Sequence, residues 1–328
     1  MLREQGAAEP DRMRRALAGL RRYQEAERPM PSPPMPAAAE CRGAVLRDYG
    51  GSGPPAVFVP SLINPPNVLD LAGRSLLRWL AARGQRVLLL DWGWPDVARS
   101  RLSVAGHVEE ILLPLMDALG EEADLVGYCL GGTMVAAAAR LAPARSLTML
   151  AAPWYFSAFP DESRAGLARL WDESRASAET LGVLPMEVLQ GAFWSLDPAR
   201  TVAKFEAFAG LEGEEARAFV ALEDWANDGP PLAVAAAREL FEDFFGQDLP
   251  GSGRWRVGGK LIDVAALDLP LLDIVSTSDR IVPAASGAGM GRRLELEQGH
   301  VGMVVGRRAR RTLWEPLAAW LSRSAASC

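Results

Sequence analysis

Residues 123–142, ADLVGYCLGGTMVAAAARLA, limit the possible folds more than any other stretch of this chain. A short apolar run meets Gly127-x-Cys129-x-Gly131-Gly132, and a run of small apolar residues of helical length follows. Strand, sharp turn and helix in such close succession need glycines, because a side chain there would block the tight packing of helix on strand. Cys129, at the turn, then projects above the sheet. The helix N-terminus beneath it favours negative charge, and so thiolate over thiol. The backbone N–H of Leu130 is placed to stabilise an oxyanion.

The flanking stretches extend the pattern. PAVFVPS (55–61), QRVLLLDWGWP (85–95), SLTMLAAP (146–153), LPLLDIVSTSD (269–279) and RRLELEQGH (292–300) read as buried strands. VLDLAGRSLLRWLAARG (68–84), VAGHVEEILLPLMDALG (104–120) and RARRTLWEPLAAWLSR (308–323) read as amphipathic helices, the last weakened at Pro316. This alternation predicts an α/β fold, a mostly parallel sheet with helices on both faces. From Trp154 a mainly helical, aromatic-rich insertion interrupts it, and GSGRWRVGGKLIDV (251–264) reads as a hairpin returning to the sheet. The expected organisation is an N-terminal helix and Pro-rich linker over 1–43, a first core half over 44–153, an inserted helical cap over 154–262 and a second core half over 263–328.

Charge and cysteine content narrow the chemistry. With 35 basic and 41 acidic residues the formal charge is −6, against a general nucleic-acid binder. The three cysteines, Cys41, Cys129 and Cys328, have no C-x-x-C spacing, so neither a zinc site nor a thioredoxin-type motif is visible. A sparse, odd count fits a reducing cytoplasm. No apolar run approaches the about 20 residues of a membrane span, and the charged N-terminus lacks the apolar core of a signal peptide. The expectation is a cytoplasmic protein with no transmembrane segment, no metal and no nucleic-acid partner.

If Cys129 is a nucleophile, its partners follow in the order nucleophile, acid, base that strand–turn–helix sites of this kind use. His300, in EQGHVGM, is the only histidine after Cys129. It would take the thiol proton, and Asp279, in the loop after a strand in STSDRIVP, would hold the imidazole's tautomer and orientation. Asp273 competes with Asp279 but falls inside the apolar strand, whereas active-site loops follow strands. Asp91, beside WGWP, reads as a turn residue. His107, early in an amphipathic helix, reads as a surface or capped residue. A lone cysteine is more often inert core; the glycine frame sets Cys129 apart. The insertion's aromatics are more often core than a cofactor box, though some should line an acyl pocket. Asn64, Trp92, Trp154 and Trp194 are the pocket candidates.

VPSLINPPNVLDL (59–71), LLLDWGWP (88–95), GYCLGGT (127–133), SDRIVPAASG (278–287) and GHVGM (299–303), in this order, resemble the polyhydroxyalkanoate synthase family. FWSLDPARTVAKFEAF (193–208) and EDWANDGPPL (223–232) are similar to that family's insertion region. The resemblance runs from about residue 20 to the C-terminus. It implies an α/β-hydrolase fold with a helical cap and a Cys129-His300-Asp279 site. The implied reaction moves 3-hydroxyacyl groups from coenzyme A thioesters, as substrate rather than cofactor, to a growing polyester chain. SLIN follows the strand where such folds place a second oxyanion donor, which nominates a backbone N–H at Leu62 or Ile63. The resemblance also implies a partner, either a second copy of the chain or a second synthase subunit, and a place at the surface of polyester granules. Three features depart from the family pattern: Asp279-Arg280 stands where Asp-His is usual, PWYF where an Asp-Phe pair is usual, and the chain is short. Two other readings stay open. One is a hydrolase with a cysteine nucleophile (thioesterase, polyester depolymerase or dienelactone-hydrolase-like); the other is a non-catalytic granule protein that retains the fold.

Overall fold

In a computed structural model the described residues are 10–28, 33–196 and 198–326. An eight-stranded sheet is built from β1 (Ala37–Cys41), β2 (Ala44–Asp48), β3 (Ser52–Val59), β4 (Gln85–Asp91), β5 (Asp124–Tyr128), β6 (Ser146–Leu150), β7 (Leu271–Ser276) and β8 (Arg292–Leu296). The strand order is β1-β2-β4-β3-β5-β6-β7-β8. β1 with β2 and β2 with β4 pair antiparallel, and every other neighbour is parallel. The hairpin β1–β2 was not legible in the sequence, and it brings the sheet forward to Ala37, inside the stretch expected as linker. Arg42 (φ 49°) and Gly43 (φ 78°) make its two-residue turn, and both central residues of such a turn need positive φ.

The period of two sorts the strands into two buried faces. Val57 and Val59 of β3 and Leu88 and Leu90 of β4 join one core cluster, while Ala56 and Phe58, Val87 and Leu89 join the other. Each fully buried leucine stabilises the fold by about 2 kcal/mol. α2 (Leu76–Ala81) and the C-terminal α3 (Glu315–Ala326) cover one face through Leu76, Leu77, Leu80, Leu317 and Leu321. On the other lie α4 (Leu130–Leu141) and α5, a helix running through Val104–His107, a π turn at Val108–Leu112 and Leu113–Leu119. Pro114 has no N–H to donate, and the ladder is already in wider register when it arrives.

Two expectations are corrected. Over 68–84 the chain is not one helix: a small hairpin pairs Asp70–Leu71 with Arg74–Ser75 before α2 begins. Gly73 (φ 75°) turns the hairpin, and Ser75 then caps α2 by accepting the Arg78 N–H. His107 is not a surface residue: it is 2% exposed, with its ring edge-on to Trp92 at 5.8 Å and Nδ1 2.8 Å from the Ser103 carbonyl. Burial holds it down at about 4, and nearby Arg99 adds to the effect against that hydrogen bond.

Between β6 and β7 the chain forms α6 (Asp161–Leu181), α7 (Met186–Leu196), α8 (Pro198–Phe208) and α9 (Gly213–Asn227), then Val234–Arg238 continuing into a π segment, Glu239–Phe245. The expected hairpin is present as Arg256–Val257 paired with Lys260–Leu261. The N-terminal helix, α1 (Pro10–Gln24), docks on α8 and α9. Arg15 Nε donates to Glu206 at 2.8 Å, Tyr23 Oη to Asp224 at 2.7 Å, and Arg22 to the carbonyls of Phe208 and Ala209 that end α8. Gly19 permits the approach, since a Cβ there would sit 1.8 Å from the Phe205 carbonyl oxygen. Among the described residues no helix is long and apolar enough to cross a membrane.

Candidate active site

The turn after β5 is as tight as its glycines require. Cys129 has φ 56° and ψ −131°, a conformation costly for any side chain. A Cβ on Gly127 would meet the Gly131 carbonyl oxygen at 2.4 Å, and one on Gly131 would meet the Val59 carbonyl oxygen at 2.0 Å. The Cys129 N–H donates to the Leu150 carbonyl at 3.0 Å, fixing the elbow to β6, and α4 starts at once with Leu130.

Asp279 and His300 meet beside it. The Asp279 carboxylate accepts the N–H groups of Ile281 (2.8 Å) and Val282 (3.0 Å) through Oδ1, while Oδ2 lies 2.7 Å from His300 Nδ1. One oxygen therefore fixes the acid in its own turn and the other faces the imidazole. The acid and histidine loops are tied together, because Ser276 Oγ donates to the Gln298 carbonyl. Both side chains are buried. Burial opposes charge on His300, but the negative charges at Cys129 and Asp279 outweigh it and raise the imidazole to about 10. Tyr128 stacks on the same ring at 5.0 Å and donates its hydroxyl to the His300 carbonyl at 3.3 Å. Burial keeps that phenol protonated far above its usual range.

Asp273 is engaged elsewhere. It accepts the Gly289 N–H at 2.9 Å and pairs with Arg293 at 3.2 Å inside β7. Asp91 accepts the Gly93 N–H at 3.0 Å, a turn role. Among the described residues no group of three or more His, Cys, Asp or Glu is placed to hold a metal ion.

Cys129, His300 and Tyr128 open into a cavity of ≈ 280 Å³ whose core side also includes Ser61, Ile63 and Asn64. The opposite wall comes from the inserted helices through Gln190, Phe193, Trp194, Lys204 and Trp225, and Arg280 and Ile281 add to the lining. Of the expected pocket residues Asn64 and Trp194 are there; Trp92 and Trp154 are not. Trp92 is buried and donates its indole N–H to the Pro60 carbonyl at 3.0 Å. Trp154 packs edge-on to Trp255 at 6.4 Å within the core. Large rings beside a strand end are worth more to the core than to a solvated cavity. Ile63 is also corrected as an oxyanion donor, since its N–H is taken by Ser61 Oγ at 3.0 Å. Leu62 turns its side chain into the core.

Sequence reading missed Tyr128, Gln190, Lys204 and Trp225. Lys204 did carry a signal: it is one of two lysines among 35 basic residues. Its ammonium meets the buried Glu223 carboxylate at 2.6 Å.

No protein-family model matches the chain. Its curated relatives include poly(3-hydroxyalkanoate) polymerase subunit PhaC proteins. That of Haloferax mediterranei is 29% identical over 82% of this chain and 58% of its own length. That of Thiocystis violacea is 27% identical over 82% and 80%, and that of Synechocystis sp. 29% over 82% and 77%. The chain thus spans under two thirds of the Haloferax relative and about four fifths of the other two. Among solved structures, an epoxide hydrolase of Bacillus megaterium superposes with a TM-score of 0.56 at 14% identity, over 85% of this chain and 99% of that one. A monoacylglycerol lipase of Paleococcus ferrophilus gives 0.53 at 17% identity, over 86% and 99%. At such identities the likeness is one of fold. The chain is a relative of the poly(3-hydroxyalkanoate) polymerase subunits, built on the α/β-hydrolase fold.

Proposed function

We propose that the protein is an acyltransferase of the polyhydroxyalkanoate synthase type, with Cys129 as nucleophile, His300 as base and Asp279 as the group that orients it. The observation that carries this reading is the 2.7 Å Asp279–His300 pair opening, with Cys129 on its strained elbow, into one cavity. In this reading a 3-hydroxyacyl thioester of coenzyme A places its carbonyl over Cys129. The sulfur attacks with its proton already held on His300, and the Leu130 N–H and an N–H at Leu62 stabilise the oxyanion. Collapse breaks the carbon–sulfur bond to the leaving thiolate, which takes the proton from His300. The acyl group is now a thioester on Cys129. The hydroxyl of a second hydroxyacyl group then attacks it, giving its proton to His300, and the Cys129 sulfur leaves as thiolate beside the protonated ring, which restores the starting pair.

A thiol suits this sequence of steps. Exchanging one thioester for another is nearly isoenergetic, so the enzyme-bound acyl group stays activated for transfer to an alcohol. The inserted helices serve as the cap that keeps water from competing. The experiment is an assay of purified protein with 3-hydroxybutyryl-coenzyme A, following thiol release and the fate of the acyl group, beside Cys129→Ala. Thiol release with polyester formed, both lost in the variant, is the expected result. Release of free hydroxy acid alone would replace this reading with a thiol hydrolase.

A further inference from the structure

The loop that follows β3, residues 61–65, and the C-terminal end of α9 hold one another in place. Trp225, buried in the cavity wall, donates its indole N–H to the Pro65 carbonyl at 2.8 Å. Asn64 Nδ2 donates to the carbonyls of Ala226 and Asp228, both at 3.4 Å. Carbonyls in the last turn of a helix have no partner within the helix, so the Asn64 amide caps α9 from 162 residues away. Gly229 completes the contact: a Cβ there would press on Asn64 Cα at 3.1 Å and on Pro65 Cδ at 3.2 Å. Asn64 itself sits at φ 64°, in the left-handed region. Such a conformation in a non-glycine residue persists where its surroundings hold it.

These contacts join two parts of the cavity that the sequence keeps far apart. One is the loop carrying Leu62. The other is the helix whose Glu223 pairs with Lys204 across the wall. A buried indole N–H left without an acceptor is costly, so the loop and helix keep a fixed distance as long as that bond is intact. We infer that Trp225 is a positioning residue, acting through the Pro65 carbonyl to hold the 61–65 loop, and with it the Leu62 N–H, at the place where the oxyanion forms. Asn64 shares that role from the loop side. This rests on the acyl-transfer reading for its catalytic consequence, but the mechanical coupling does not depend on it.

The test uses full-length protein and Trp225→Phe, which keeps an aromatic ring in the wall and removes the indole N–H. Loss of one oxyanion donor costs about 10²–10³ in kcat, and a donor set out of line should cost part of that, about 10-fold or more. The expected result with 3-hydroxybutyryl-coenzyme A is such a fall in kcat with KM within about 2-fold, since the lost contact acts in the transition state. Alkylation of Cys129 by iodoacetamide forms no oxyanion and should keep its wild-type rate. Asn64→Asp, which cannot donate to the two carbonyls, should give the same pattern. Unchanged kcat in both variants would overturn the inference, and so would a parallel fall in alkylation, which would mean the elbow itself had moved. Amide hydrogen exchange over residues 61–68 decides the coupling without any turnover: faster exchange in Trp225→Phe supports it, and unchanged exchange overturns it. No thiol release by the wild type, together with faster exchange in Trp225→Phe, would sink the acyl-transfer reading and leave the positioning contact standing.

Discussion

The protonation state of His300 is the most exposed consequence of the site geometry. Its imidazole lies between the negative charges at Cys129 and Asp279, which overcome burial and raise it to about 10. At pH 7 the ring is therefore held protonated, whereas about three quarters of an unperturbed histidine would be neutral. The chain has only two histidines, and the other, His107, is held down at about 4. An imidazole 15N NMR titration from pH 5.5 to 8.5 should therefore show one ring protonated throughout and one neutral throughout, with neither titrating. Cys129→Ala removes the largest single favourable charge and leaves the burial in place. His300 in that variant should lose its proton at a lower pH than in the wild type. A wild-type His300 that titrates near 6.5, or one that Cys129→Ala leaves unmoved, would refute the claim that the Cys129 charge and the imidazole are coupled.

Further outcomes follow from particular contacts. Asp279→Asn should lower kcat by about 10³–10⁴ through loss of the imidazole's orientation. Asp273→Asn should leave kcat near wild type and lower Tm, because Asp273 is bonded to Gly289 and Arg293 within β7; the reverse ranking in a thiol-release assay would reassign the acid. Gly131→Ala brings a Cβ to 2.0 Å from the Val59 oxygen, so α4 must move about 1 Å from β3 to reach the 3.0 Å that real contacts require. Overpacking of that kind costs about 1–3 kcal/mol, read by urea unfolding, and an unshifted midpoint would count against the tight elbow. Gly19→Leu should lift α1 off α8 and speed hydrogen exchange over 198–208, while exchange in the sheet stays as it was. The two histidines tilt stability in opposite directions. His300, raised in the fold, contributes below its unfolded value near 6.5 and loses that contribution as pH rises toward 10. His107, lowered in the fold, contributes above 6.5 and loses its share as pH falls toward 4, so His107→Gln should flatten the fall of Tm with acid.

Much of this protein was legible one segment at a time. The strands around Phe58, Leu88, Val126 and Ile274 show their burial as apolar runs, β7 broken only at Asp273, because a strand covered on both faces needs few polar positions. The elbow at Cys129 announces itself through Gly127 and Gly131, whose missing side chains are a local steric requirement. The order Cys129, Asp279, His300 could be read off the chain because only one histidine follows Cys129. Tertiary packing decided the rest. It sent Trp92 and Trp154 into the core, buried His107 against Trp92, and took Ile63's N–H for Ser61. It also built the far wall of the cavity from Lys204 and Trp225, and laid α1 across the helices that carry them. Those side chains have no local pattern that marks them, since their surroundings come from segments up to about two hundred residues away in the chain. Periodicity and glycine report what a segment requires of itself; the lining of a cavity depends on which other segments arrive beside it.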